Sequence, residues 1–469
     1  MSQSDDSDAA DDELLLEARA ETSRPGGLAG PVAESSDEDG IGARTSPPAE
    51  TGNRQRSLWH DGNFLTIWSG QAFSQFGSQI QELAIPVLAV LVLGASELQV
   101  GMLNAAGLAA FLVVGLPAGA WIDRMRKRHV MIWADAVRAV ALGILPLLWW
   151  LGALQMWHLY AVALVVGIAT VFFDVSYQSI IPSLVQPTQI AEANGKLQAT
   201  YELANIAGPG IGGWMVGVLT APLALLATVG TYLISFVALL FTRDHEPARA
   251  PDDRAPIFSE IWEGLRFVFT EKLLRRIVGT TGTSNFFNTL SMTMLPVFVL
   301  RELGLSPAAM GVIFSLGAVG GLLGALATPH IVRWIGEARS IPISSIGFSI
   351  VGLFLPLAAM VPSIAFPLLV AQGFVVSFAV LLYNITQVTF RQRITPPRLL
   401  GRMNASVRFV VWGVMPIAAL LSGVLGTSLG VVETMWIGAL GQLVSALFVV
   451  TGPFWRMRDL PDAATARPG

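Results

Sequence analysis

Runs of about 20 residues with almost no charge recur twelve times along this chain, and that repetition dictates what it can fold into. Each run is long enough to cross a hydrocarbon core of about 30 Å as a helix. An unpaired peptide group is costly in lipid, so only helices or closed barrels span it. The runs lack the alternation over ~10 residues that barrel strands carry. The expected fold class is therefore an all-α polytopic membrane protein. Its spans are expected at about 65–93, 99–122, 130–151, 157–181, 198–219, 221–242, 278–300, 307–332, 340–361, 364–388, 404–425 and 431–452. Composition agrees, since only 13% of the residues are charged, about half the share in a soluble domain.

The densest charge is wedged between the second and third runs, in Gly119-Ala-Trp-Ile-Asp123-Arg124-Met-Arg126-Lys127-Arg128-His129. Such flanks suit a short loop on the inner side of a membrane, where Lys and Arg gather. Further bases fall in every second connection: Lys196, then Arg243 to Arg276, then Arg333 and Arg339, then Arg391 to Arg402. The intervening connections are short and carry only Arg301 as a base. This bias predicts a multi-pass protein of the cell membrane with both termini in the cytoplasm.

Residues 1–57 hold 13 acids and five bases and almost no aromatics. Such a stretch buries too little apolar surface to offset its ordering entropy, so a disordered acidic tail is expected. Without it 20 acids face 24 bases. The acidic balance thus belongs to the tail, and no nucleic-acid partner is expected. An acidic start is no cleavable signal peptide, so the first span is expected to direct insertion. Residues 58–242 then form six spans and 278–455 six more, with a C-terminal tail at 456–469. Between the halves, 243–277 reads as a cytoplasmic linker. Its Phe258 to Phe269 stretch has the pattern of an amphipathic helix on the membrane surface.

The halves echo one another. Gly101 and Gly107 open the second span, and Gly311 and Gly317 open the eighth at a shift of 210 residues. At that shift Asn194 also meets Asn404, and Asp123 meets Arg333. Weak parallel similarity between six-helix halves is a mark of secondary transporters, whose substrate site lies between them near the midplane.

Ionisable groups inside the spans are the sharper clue to function. Glu82 lies well into the first span among Gln79, Gln81 and Pro86. A charge at the bilayer centre costs about 2.5–3.5 kcal/mol even on the lenient insertion scale. Glu82 is therefore expected to face a cavity, to be paired or to be protonated. It is the first candidate for proton coupling or substrate contact. Asp135, Arg138, Asp174, Glu202 and Arg408 fall in the inner thirds of their spans, where opposite charges are expected to pair with one another and with the Asp123 loop. With Gly119, Asp123, Arg124, Lys127 and Arg128 they form a candidate cytoplasmic gate. Gln79, Asn285, Asn288, Tyr383, Asn384 and Gln387 are candidate neutral groups of the cavity wall, and Trp149, Trp150 and Trp157 suit an outer interfacial belt.

On these residues the chain resembles the major facilitator superfamily, and more narrowly the bacterial exporters that include macrolide-efflux and enterobactin-export proteins. Gly119-x-x-x-Asp123-Arg124-x-x-Lys127-Arg128 is similar to the family's loop between helices two and three, with Arg126 where a glycine often stands. Phe172-Phe173-Asp174 through Ile181-Pro182 resembles this branch at the end of helix four. Gly208-Pro209-Gly210-Ile-Gly212-Gly213 resembles the antiporter motif of helix five, and Asn384 through Pro416 the region of helices ten and eleven. The resemblance covers about residues 58–455. It implies twelve helices in two pseudo-symmetric halves, a monomer, a latch at Asp123, and a helix-five face that seals a path between halves.

No cysteine is present, so thiol and disulfide chemistry are excluded. The chain has no Gly-x-x-x-x-Gly-Lys-Ser/Thr loop and no metal spacing among its five histidines. Neither an enzyme, a metal nor a cofactor is expected. The expected function is export of an amphipathic small molecule, such as an antibiotic, a macrolide or a siderophore, in exchange for protons. A proton-coupled importer of a metabolite or lipid shares the same features, and a non-transporting membrane sensor or scaffold is the alternative from another class.

Overall fold

The computed structural model describes residues 57–122, 125–243, 257–396 and 399–460. The acidic tail lies outside them. Helix one runs Gly62–Val92, helix two Glu97–Ile122, helix three Lys127–Trp150, helix four Met156–Leu184, helix five Ile190–Leu219 and helix six Ala221–Phe241. A linker helix, Ile257–Thr270, follows. Helix seven is Lys272–Val297, extended in π geometry through Phe298–Glu302. Helix eight is Pro307–Ile335, nine Glu337–Met360, ten Pro362–Ile394, eleven Leu400–Leu429 and twelve Val431–Val450.

Every expected span is a helix, and the ends toward the bare connections fall within a few residues of expectation. The charged ends run longer. Helix five starts at Ile190 instead of 198, and helix seven at Lys272 instead of 278. Hydropathy marks where the apolar slab stops, whereas backbone hydrogen bonding continues into water. Among the described residues, ten helices are long and apolar enough to cross a membrane. Helices five and seven fall short because glycine and neutral polar residues dilute their apolar runs, Asn205 and Gly208 to Gly213 in five and Thr280 to Asn288 in seven.

The first connection of each half is a copy of the other. Pro86-Val87 leads to Leu93-Gly94-Ala-Ser96, and Pro296-Val297 leads to Leu303-Gly304-Leu-Ser306, again at a shift of 210 residues. Both helices end in one π turn, Leu88–Val92 and Phe298–Glu302. Each chain then reverses at a glycine in the left-handed region, with φ of 63° at Gly94 and 62° at Gly304. A side chain is strained there, which is why glycine stands at both places. Ser96 and Ser306 then cap the next helix, accepting from Gln99 N at 3.3 Å and Ala309 N at 3.2 Å.

Packing repeats as faithfully. In the first half helix one packs on five and six, two on four, and three on four and six. In the second half seven packs on eleven and twelve, eight on ten, and nine on ten and twelve. Small residues let these helices close without a hydrophobic drive, as membrane bundles require. A β-carbon on Gly70 would lie 2.7 Å from Ala238 Cβ, and one on Gly167 2.8 Å from Ala110 Cβ. Large apolar side chains such as Val140, Trp150, Phe241, Leu326 and Ile417 stay exposed around the bundle. That surface suits lipid and would be a liability in water.

Candidate functional site

Two helix crossings join the halves: helix five with eight, and helix two with eleven. The glycine-proline run of helix five makes the first. A β-carbon on Gly213 would lie 2.6 Å from Pro307 O and 3.0 Å from Gly311 Cα, and one on Gly311 would collide with Pro209 O. Gly210 N donates to Ser315 Oγ at 2.9 Å across the same crossing. Gly208 and Gly212 face the other way, onto Gln79 and Ile80 of helix one. The run is therefore a two-sided packing strip, one side within its half and one between halves. At the second crossing, Gly101 of helix two lies against Gly423 of helix eleven.

Polar links cross the halves at the same end of the bundle. Asn104 Nδ2 donates to Thr293 Oγ1 at 2.6 Å. Arg301 Nη1 stands 3.8 Å from Glu97 Oε1, and its Nη2 donates to Val90 O at 3.0 Å. All these groups lie toward the bare connections. The only base on that side is thus an inter-half tie, a role the residue pattern did not assign to it.

Inside the first half a charged cluster is sealed from solvent. Asp135 and Arg138 pair across one turn of helix three, with relative exposures of 0% and 1%. The guanidinium is sandwiched between Phe173 and Tyr232, 4.1 and 4.4 Å from the ring centroids. Ser235 lies beside Asp135, and Asp174 is near enough to interact with Arg138 through space. Tyr232 OH donates to Gln81 Oε1 at 3.1 Å and lies 3.2 Å from Ser78 Oγ. Helices one, three, four and six thereby meet at one cation. Stacking on two desolvated rings offsets part of the cost of burying it.

Helix one carries the remaining polar face. Gln79 Nε2 donates to Asn205 Oδ1 of helix five at 2.8 Å. Glu82 shares that face with Gln75, Ser78 and Gln79, at the three-, four- and seven-residue spacings that align along a helix. It is exposed, and no described residue offers it a hydrogen bond or ion pair. Ten residues separate it from the end of the helix at Val92, a rise of roughly 15 Å.

Among the described residues, the expected gate groups do not form one network. Asp135, Arg138 and Asp174 come together, but within a single half. Glu202 accepts from Gln198 of its own helix at 2.7 Å, and Arg408 lies 5.6 Å from the ring centroid of Trp412. Arg128 donates to Leu239 O and Leu240 O at 2.8 and 2.7 Å, closing the C-terminal carbonyls of helix six. Lys127 is buried at the start of helix three. Asp123 and Arg124 lie outside the described residues, and Gly119 is described only as part of helix two.

Two of the expected cavity residues are core residues instead. Tyr383, 3% exposed, bonds Thr281 Oγ1 at 2.9 Å and Ile277 O at 3.3 Å, with its ring edge-on to Phe348. Gln387 is equally buried. Polar residues in a span tie helices of one half together as readily as they line a path, and composition does not separate the two. Asn285 makes only a long contact to Val411 O at 3.5 Å, Asn384 is half-buried and Asn288 is exposed.

The family model described as Major Facilitator Superfamily matches residues 67–419. The multidrug efflux pump Tap of Mycolicibacterium fortuitum is 27% identical over 85% of this chain and 98% of its own length. Macrolide efflux protein A of Streptococcus pyogenes is 23% identical over 85% of this chain and 97% of its own. Among solved structures, a bacterial homologue of the iron transporter ferroportin in an inward-facing state gives a TM-score of 0.65 at 17% identity, over 83% of this chain and 98% of that one. The outward-facing state of a bacterial ferroportin homologue gives 0.52 at 18% identity, over the same shares.

Proposed function

The chain belongs to the Major Facilitator Superfamily, and on that premise we propose that it exports an amphipathic small molecule in exchange for protons by alternating access. The observation that carries the coupling is Glu82, an exposed, unpartnered carboxyl deep in helix one. An exposed carboxylate at that depth is too costly in lipid, so it faces water between the halves. There it can take a proton from one side and release it to the other as the halves rock. The membrane potential contributes about 2.3 kcal/mol per charge per 100 mV to that exchange.

The two crossings supply the rocking element. Both close the bundle at the end with bare connections, and the positive-inside bias puts that end outside the cell. We read the conformation as inward-open, and the higher TM-score against the inward-facing ferroportin homologue supports this reading. The direction of transport rests on the relatives, two of which are named for multidrug and macrolide efflux.

Efflux of an amphipathic dye and of a macrolide from cells expressing the full chain, with and without a protonophore, tests the reading. Efflux should collapse with the proton gradient, and Glu82→Gln should abolish it at normal expression. Protonophore-insensitive efflux would remove proton exchange, and an active Glu82→Gln variant would move the coupling to another group.

A further inference from the structure

A cavity of about 680 Å³ opens on the outside of the bundle between helices three and four, at the end that bears the charged connections. Its walls are apolar: Trp133 and Val137 on one side, Val165 and Ile168 on the other. Its mouth carries Arg126 and His129. The volume falls in the range of ligand sites, roughly 300–1,000 Å³.

The slot is separated from the space between the halves. Val114, Ala118 and Ile122 of helix two pack with Val130 and Val171 in one buried cluster behind it, with Ile168 and Phe172 against that cluster. Trp121 stacks on Phe172 at a centroid distance of 6.2 Å. The opening therefore faces the surrounding bilayer, and Trp133 is 71% exposed there.

Two chemistries divide along the slot. Arg126 and His129 are exposed and have no hydrogen-bond or ion-pair partner among the described residues. Arg126 also sits at the start of helix three. Below this rim, at hydrocarbon depth, the lining is apolar and offers water no partners.

We infer that this slot is a binding site for one anionic phospholipid of the adjacent leaflet. One acyl chain lies along Trp133, Val137, Val165 and Ile168, and the phosphate meets Arg126 and His129. Basic pockets between membrane helices hold anionic headgroups in this way. The inference is independent of the transported molecule.

Native mass spectrometry of the full chain, delipidated and then supplied with phosphatidylglycerol or phosphatidylcholine, tests it. One phosphatidylglycerol per chain should be retained over phosphatidylcholine by roughly fivefold, the contribution of one arginine near an anionic headgroup. The double variant Arg126→Gln, His129→Gln should lose that preference. Val137→Trp, which fills the slot and leaves the charges, should lose the bound lipid altogether. Equal retention of the two lipids, or a Val137→Trp protein that still holds one phosphatidylglycerol, would overturn the site. Displacement of the lipid one-for-one by an exported compound would also overturn it, by making the slot part of the transport path. Should the double variant fail to fold, the lipid preference and the Val137→Trp result still decide.

Discussion

Gly101 and Gly423 meet across the two halves so closely that a β-carbon on Gly101 would lie 2.7 Å from the Gly423 α-carbon. Gly311 and Gly213 meet in the same way, the β-carbon of one 3.1 Å from the α-carbon of the other. The two pairs are one contact used twice, because Gly311 follows Gly101, and Gly423 follows Gly213, by the same 210 residues. A pseudo-twofold axis between the halves converts helix two into eight and helix five into eleven, so each crossing is the mate of the other. Opening the closed end means separating both glycine pairs together.

Gly101→Val and Gly213→Val should each favour the alternative conformation. Overpacking costs about 1–3 kcal/mol, which shifts a two-state population by roughly 5- to 150-fold. The chain has no cysteine of its own, so single cysteines introduced on either side of the crossing report access cleanly. Labelling from the Arg301 end should rise in both variants. Unchanged labelling would mean that the glycines serve packing alone.

The Arg301–Glu97 tie is partly exposed, at 30% and 27% of its side chains. Its loss should therefore be mild, about 0.2–1 kcal/mol, and weaker still in high salt. Glu97→Gln should raise labelling of a cysteine at Ser96 by about 1.4- to fivefold, in line with that energy. The exchanged pair Glu97→Arg, Arg301→Glu should restore part of the closure. No recovery would assign the contribution of Arg301 to its bond with Val90 O.

Arg138→Met should be severe, because it leaves Asp135 buried without its cation at a cost of about 3–5 kcal/mol. The double variant Asp135→Asn, Arg138→Met should recover much of that stability, seen as a higher midpoint of thermal unfolding in detergent. Arg138→Lys should not substitute, since a compact ammonium does not stack between two rings as a guanidinium does. A double variant as unstable as the single one would show that the rings, not the ion pair, dominate.

Tyr383→Phe should cost about 0.5–1.5 kcal/mol, the worth of its hydrogen bonds to helix seven. Transport should keep its KM, since the hydroxyl is enclosed within the second half. An altered KM with unchanged stability would return Tyr383 to the substrate path.

Much of the fold was legible in the residues because insertion into lipid is a local matter. Each apolar run carries its own transfer free energy, so the spans and the alternation of charged with bare connections could be read before any packing was known. The repeat was legible in part: the glycine spacing was visible, and the Pro-Val to Leu-Gly-x-Ser copies at 86–96 and 296–306 carried the same signal more strongly. Arg301 was conspicuous as the lone base on its side, although its partner 204 residues earlier, Glu97, was not.

The neighbour of each helix face is set by a different physics. Tyr383 and Glu82 are both polar residues inside a span, yet one is locked between helices of a single half and the other is exposed. Arg128 and Arg126 stand two residues apart in one basic stretch; one closes the end of helix six, while the other lies at the mouth of a slot with no partner among the described residues. Residue type determined that these groups would sit in spans or at their charged ends. Their partners followed from the simultaneous packing of twelve helices, in which small residues set how closely backbones approach and thereby which side chains remain exposed.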